Sequence, residues 1–249
     1  MAPPEPTAML DWLRRPPAEE PRMIVGERTL PLEIRRLARA RRLTLRLAPD
    51  GSAVRMSIPT WVPTREALEF ARTRTDWLAG QLAKVPCAQL LVTGAAIPFR
   101  GAALVLVHDP LASRRVRVAD RYLHLGGPEE GLAPRLRRWL QGEARALFEA
   151  DLEHYSPLAG VAVPPLSLTS AQRRWGSCSA RGDVRLNWRL VMAPDRVRRS
   201  VVAHEVAHLV HFDHSPRFHA LLNGLYEDRI DGANLWLKCH GRSLYGPLG

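Results

Sequence analysis

The stretch 201–214 reads VVAHEVAHLVHFDH and holds the residues best suited to chemistry. His204 and His208 are four residues apart, so on a helix their imidazoles share one face and can meet at one zinc ion. Glu205 follows the first of them and can reach a metal-bound water without binding the metal. This H-E-x-x-H spacing predicts a zinc hydrolase with Glu205 as general base. The alternative is a buried helix whose histidines are satisfied by hydrogen bonds.

A catalytic zinc ion usually has three protein ligands, so a third is expected. His214 is favoured, because Ser215-Pro216 forces a break after the helix and lets the chain turn back under the metal. Two other choices stay open. One is an acidic ligand on the following helix, Glu227 or Asp228, and the other is His211, three residues after His208.

Several helices must position these residues. Pro194 and Asp195 offer a start for the helix that carries the motif, and its apolar residues lie nearly all round it, which predicts a buried helix. A long helix is predicted over 129–155, with a spacing of apolar residues that suits packing against the motif helix. Further helices are predicted over 216–226 and 232–240.

The N-terminal part alternates apolar and polar residues in the manner of β-strands. Two such runs flank the turn Pro49-Asp50-Gly51, which predicts a hairpin within a β-rich segment, 23–59. One helix capped by Thr64 is predicted to run to about Lys84. Short strands are then expected at 96–99, 103–108, 116–119 and 122–125.

A second hairpin is predicted over 166–190, leading directly into the motif helix. It would form one wall of a cleft and pair with an extended peptide by strand addition. Its candidate substrate-contacting or supporting residues are Arg174, Trp175, Gly176, Ser177 and Asn187. For Trp175, an ordinary core position in a packed turn is an equal alternative.

Composition is ordinary for a soluble globular protein of 249 residues, with 46% hydrophobic and 24% charged residues. No apolar run approaches the ~20 residues of a membrane helix. Cys87, Cys178 and Cys239 are widely spaced and form no C-x-x-C pair, so the sequence indicates no disulfide framework. A reducing compartment, the cytoplasm, is therefore the expected location. The net charge of +11 permits nucleic acid as a partner, although a solvated basic surface explains it equally well.

The motifs together resemble the YgjP-like metallopeptidase family, whose wider relatives are the SprT-like and WLM zinc protease domains. The resemblance rests on RWGSCS at 174–179, on HEVAHL at 204–209 and on Asp213-His214-Ser215, and it spans about 22–245. It implies an α+β, zincin-like domain that holds one zinc ion through His204, His208 and His214. The family usually has Asn where this chain has Asp213, and a carboxylate there could raise ligand basicity.

The sequence therefore predicts a disordered leader at 1–21, an N-terminal β-rich lobe at 22–127 and the metallopeptidase domain at 128–249. The expected function is zinc-dependent hydrolysis of peptides or unfolded proteins. Two alternatives stay open. One is a nucleic-acid-associated zinc protease or DNA-binding protein of the SprT-like type, and the other is a structural zinc module without turnover, against which the intact Glu205 argues.

Overall fold

The computed structural model describes residues 21–85, 91–246 and 248. The predicted leader, except Pro21, and Cys87 lie outside the described residues. The chain divides into two compact units, with the boundary between Lys84 and Val85. The sequence-based boundary after residue 127 falls inside the second unit, which therefore includes the short strands at 96–126 as well as the motif helix.

The fold is mixed α+β, with small sheets and helices alternating along the chain. The strands are β1 (Arg22–Val25), β2 (Arg28–Arg36), β3 (Thr44–Leu47), β4 (Val54–Ile58), β5 (Ala96–Phe99), β6 (Ala102–Asp109), β7 (Arg117–Ala119), β8 (Tyr122–Gly126), β9 (Leu166–Thr169), β10 (Gly176–Cys178) and β11 (Val184–Asn187). The helices are α1 (Thr64–Arg72), α2 (Thr75–Leu82), α3 (Leu132–Leu158), α4 (Asp195–Val210), α5 (Pro216–Leu225) and α6 (Ile230–His240). Short 3₁₀ segments cover Glu129–Gly131, Trp188–Met192 and Gly241–Tyr245.

The first unit contains a four-stranded sheet in the order β1-β2-β4-β3. The predicted hairpin is confirmed, because β3 and β4 pair antiparallel around Gly51, which adopts a φ of +69° that glycine tolerates easily. Leu32, Val54 and Leu47 share one register row and are buried. Helix α2 packs against β1 and β3.

The opposite face of this sheet is open and basic. Arg35 and Arg46 are exposed there, and Arg55 pairs with Glu33 at 2.9 Å. Residues 21–84 contain 13 Arg and Lys and 6 Asp and Glu, so this part carries a net charge of +7. The strand alternation thus separates an apolar core face from a cationic solvent face.

The single helix predicted from Thr64 to Lys84 is wrong, because the structure has two helices. Between them the Thr73 hydroxyl donates to the Phe70 carbonyl, and the Thr75 hydroxyl donates to the Arg72 carbonyl. Such local bonds compete with the helical ladder and favour a break. Thr64 is the first helical residue and does not cap α1, since Pro63 occupies the cap position.

The core of the second unit lies where α3 packs against α4 and the 3₁₀ segment before it. Leu136, Leu140 and Phe148 of α3 are fully buried at the helical spacing that the sequence predicted. The strands β5, β6, β8 and β7 form a separate four-stranded sheet in that order, close to their predicted positions. Among the described residues, none of the helices is both long and apolar enough to cross a bilayer.

The second predicted hairpin is wrong in its pairing. The antiparallel partner of β11 is β10, whereas β9 pairs with β11 in parallel. The segment after Asn187 forms a 3₁₀ turn. At its start, the backbone N–H of Arg189 donates to the side-chain oxygen of Asn187. This arrangement places the short strand β10 at one edge of a three-stranded sheet, packed against α4.

A buried ion pair fixes α4 against α3. Arg198 donates to Asp151 at 2.7 Å, and the two side chains are only 4% and 9% exposed. Arg198 also pairs with Asp195, which in turn accepts from Arg100 at 2.5 Å. These contacts anchor the first turns of the helix that carries the histidine motif.

Candidate metal centre

Three imidazoles converge at the end of α4. The Nε2 atom of His204 lies 3.2 Å from Nε2 of His208 and 3.4 Å from Nε2 of His214. One nitrogen from each residue lies within 4.8 Å of the other two. His204 and His208 meet because of their helical spacing, and His214 joins them because the chain reverses after Val210.

The return of the chain is stabilised locally. The Asp213 carboxylate accepts from Ser215 N at 3.2 Å, and the Ser215 hydroxyl caps α5 by accepting from Phe218 N. Pro216 occupies the first turn of α5, as the sequence predicted. His208 Nδ1 lies 3.1 Å from the His211 carbonyl, which orients the ring so that Nε2 faces the other two imidazoles.

Phe218 forms the floor beneath all three rings. It is fully buried, and its ring centroid lies 5.0 Å from that of His204, 4.5 Å from that of His208 and 4.9 Å from that of His214. Since one rigid ring touches all three imidazoles, it fixes their relative positions more firmly than the backbone alone.

The other candidate third ligands are not members of this cluster and make other contacts in the described part of the chain. Glu227 accepts from the Tyr155 hydroxyl at 2.5 Å and pairs with Arg199 at 2.9 Å. Asp228 accepts from the backbone N–H of the next residue, Arg229. His211 contributes its carbonyl to His208 and is not part of the three-residue cluster of possible metal ligands in the described part of the chain.

Glu205 is buried beside the imidazoles, with 5% of its surface exposed. Burial raises the pKa of its carboxyl to about 7, although the positive charge of Arg174 and a hydrogen bond from the Cys178 backbone oppose this rise. Strand β10 lies directly against it. A Cβ atom at Gly176 would come within 2.4 Å of Glu205 Oε1, so only glycine allows this approach.

The surroundings of His204 and His208 favour the neutral form of these two imidazoles. Burial and the neighbouring rings of His208, His214 and His219 lower the pKa of His204 to about 4. Burial also lowers the pKa of His208, against the opposing contact with the His211 carbonyl. Neutral imidazoles offer a lone pair to a cation, so this electrostatic environment suits metal ligation.

The remaining candidates from the sequence are placed differently. Trp175 lines an open cleft of about 230 Å³ beside His204 and Glu205, and its ring packs on Tyr245 with centroids 5.8 Å apart. Arg174 is exposed, and Ser177 lies within β10 opposite Arg185. Asn187 is fully buried and does not line the cleft. It donates to the Ala171 carbonyl at 2.8 Å and to the Tyr245 hydroxyl at 3.2 Å, so it braces the sheet.

Sequence reasoning missed other residues of the cleft. Val201 lines it from α4, and Ile230, Asn234 and Leu237 line it from α6. The last three have the i, i+4, i+7 spacing of one helix face, which was the available signal. Nothing in the sequence indicated that this face meets α4.

Comparison with protein families supplies the deciding observation. The family description "YgjP-like, metallopeptidase domain" matches residues 41–240, about four fifths of the 249-residue chain. The chain belongs to the YgjP-like metallopeptidase family. Searches of curated proteins and of solved structures gave no match.

A YgjP-like metallopeptidase domain implies a hydrolase that uses a metal ion. The residues present fit such an ion, since nitrogen donors of two half-buried histidines, His204 and His208, and of the exposed His214 converge. His204, His208 and His214 would hold it. Glu205 lies beside them, held by β10, where it could act on a neighbouring group.

Proposed function

We propose that this protein is a zinc-dependent peptidase with a zincin-like catalytic domain. The observation that carries the proposal is the convergence of the three Nε2 atoms beside the buried carboxylate of Glu205. A tetrahedral zinc site with Zn–N bonds of 2.0–2.1 Å has edges of about 3.3 Å between ligand nitrogens. The separations of 3.2 and 3.4 Å from His204 support that geometry.

Zinc in this position would supply a Lewis acid and lower the pKa of its bound water toward ~7. Glu205 would accept the proton that the attacking water loses and then donate it to the leaving amine. Its raised pKa favours both roles near neutral pH. The exposed Arg174 brings positive charge close to the same carboxylate, and we propose that it also stabilises negative charge on the substrate carbonyl.

The substrate would be an extended peptide or an unfolded protein. Strand β10 pairs with β11 along one side only, and no described strand pairs with its other side. An extended peptide can add there through main-chain hydrogen bonds, next to Gly176 and Glu205.

The test compares two substitutions of the same kind. Zinc-loaded Glu205→Gln should keep one equivalent of metal and lose hydrolysis of casein. Glu149→Gln makes the same change on a half-exposed face of α3 and should keep both. Retained hydrolysis in Glu205→Gln would remove the assigned role, and a wild-type protein that binds zinc without cleaving casein would favour a structural zinc module.

We also propose nucleic acid as a partner of the first unit, on the strength of its basic sheet face. Arg35 of β2 and Arg46 of β3 lie on that face on either side of β4, in a part of the chain with a net charge of +7. Phosphate contacts from these residues would make binding depend steeply on salt.

Binding to a labelled DNA duplex, followed by fluorescence polarisation across a salt series, tests this partner. Each lost phosphate contact should reduce the log–log salt slope by about 0.9. Arg35→Glu should show this reduction, whereas Arg72→Glu, which makes the same charge change on α1, should not. Equal effects of both variants would indicate only a diffuse effect of net charge.

A further inference from the structure

The cleft beside Glu205 has apolar walls of defined origin. Val201 contributes from α4, Ile230 and Leu237 from α6, and Trp175 from the residue before β10. The polar side chain of Asn234 lies at the exposed side of the same cleft. The cleft therefore borders both the metal cluster and the base, on the side where a bound substrate would lie.

Its size fits one large side chain. An apolar cavity of about 150 Å³ is enough to hold a benzene molecule. The cleft measures about 230 Å³, so it accommodates a branched aliphatic or an aromatic side chain but not several residues.

Its chemistry excludes charged groups. Apart from Glu205 and the metal-ligand candidate His204, the described residues that line it have no ionisable side chain. A substrate carboxylate placed there would lose water and meet the like-charged carboxylate of Glu205. A substrate ammonium would find only Glu205 as a partner, and that pairing would occupy the base. Burying an apolar side chain against Val201 and Leu237 has the opposite, favourable effect.

We propose that this cleft is a specificity pocket that binds an uncharged, apolar side chain, of the size of Leu or Phe, on a residue flanking the bond that is cut. The proposal rests on the peptidase function proposed above, because it concerns the same site. It adds that the protein selects its cleavage positions by apolar side chains, with β10 recognising the main chain and the cleft recognising the side chain.

Binding can be measured without turnover. The probes are four fluorescein-labelled pentapeptides, Gly-Gly-X-Gly-Gly with X as Leu, Phe, Lys or Glu, titrated into full-length, zinc-loaded Glu205→Gln protein. Burial of the Leu or Phe side chain should make those two peptides about 10-fold or more tighter than the charged ones.

Variants of α6 assign the preference to the cleft. Leu237→Glu places a charge in the wall and should shift the ranking toward the Lys peptide. Leu235→Glu makes the same change on a residue of α6 that is 61% exposed and lies outside the cleft, so its ranking should match the parent protein. Ile230→Trp fills the cleft without adding charge and should weaken the Phe peptide about 10-fold, which covers the case in which Leu237→Glu fails to fold.

The outcomes separate the pocket from the peptidase. Equal affinities for all four peptides, no binding of any up to ~1 mM, or identical rankings in Leu237→Glu and Leu235→Glu would overturn the pocket. Casein cleavage by the wild type is scored separately, with cleavage sites mapped by mass spectrometry. Cleavage without apolar preference would support the peptidase function and contradict the pocket. Binding of apolar peptides without any cleavage would support the pocket and contradict the peptidase function.

Discussion

Gly176 is the position at which a single methyl group should separate metal binding from turnover. In Gly176→Ala the new Cβ would lie 2.4 Å from Glu205 Oε1, while ordinary contacts begin near 3.4 Å. The carboxylate must therefore retreat by about 1 Å, since it is the movable end of the pair. A misplacement of that size costs about 100-fold in rate when the displaced group must meet a reacting atom.

The assay is kcat/KM for hydrolysis of one quenched-fluorescent peptide, with zinc content and thermal unfolding measured on the same samples. Gly176→Ala should lose about 100-fold in kcat/KM and keep its zinc, because His204 and His208 lie on α4 and His214 lies on the segment between α4 and α5. Gly142→Ala is the matched control. It lies in α3 with nothing within 4 Å of the added Cβ, so its activity should be unchanged.

Two results would refute this reasoning. Unchanged kcat/KM in Gly176→Ala would show that the position of Glu205 does not limit the reaction. Loss of zinc together with activity would show that β10 supports the ligands and not the base.

Three further predictions concern residues that hold the imidazoles or helix α4 in place. Phe218→Leu should keep the fold and weaken zinc affinity by about 10-fold or more in a chelator competition, and unchanged affinity would contradict the role of the aromatic floor. Asp151→Ala should lower the free energy of unfolding by about 3 kcal/mol in denaturant, because buried Arg198 keeps only one carboxylate partner; a change near zero would contradict this. Burial raises the pKa of Asp195, but the hydrogen bond from Arg100 and the charges of Arg198 and Arg100 outweigh it, so the folded pKa lies below 3.8. The contribution of the Asp195 carboxylate to the free energy of unfolding is therefore present above pH ~4 and is lost as pH falls through the folded pKa. Asp195→Asn should lower the free energy of unfolding by about 1 kcal/mol at pH 7, and the stability of this variant should depend less on pH in acid. Identical acid profiles would contradict it.

The sequence predicted those parts of the fold that depend on local pattern. Helix α4 begins at Asp195 as expected, and the spacing of His204 and His208 needs only helical geometry. The β3–β4 hairpin follows from Asp50-Gly51 between alternating strands.

Pairings between distant segments were not predictable in the same way. The residues of β9 alternate as expected, but alternation does not specify whether Leu166 pairs parallel or antiparallel. Asn187 was expected at the cleft because it is polar and close in sequence, yet its amide is fully buried in contacts with Ala171 and Tyr245. The apolar cleft has no contiguous sequence signal, because α4 and α6 each supply only part of its wall.

The structure divides the tasks of the site between separate elements. The imidazoles come from α4 and the segment before α5, and Phe218 packs beneath them. The carboxylate of Glu205 shares helix α4, but its final position depends on contact with Gly176 and on the hydrogen bond from the Cys178 backbone in β10. Ligand packing and base placement therefore have different physical supports. It follows that substitutions at Phe218 should act mainly on metal affinity and those at Gly176 mainly on kcat, so the two effects should be close to additive in the double variant.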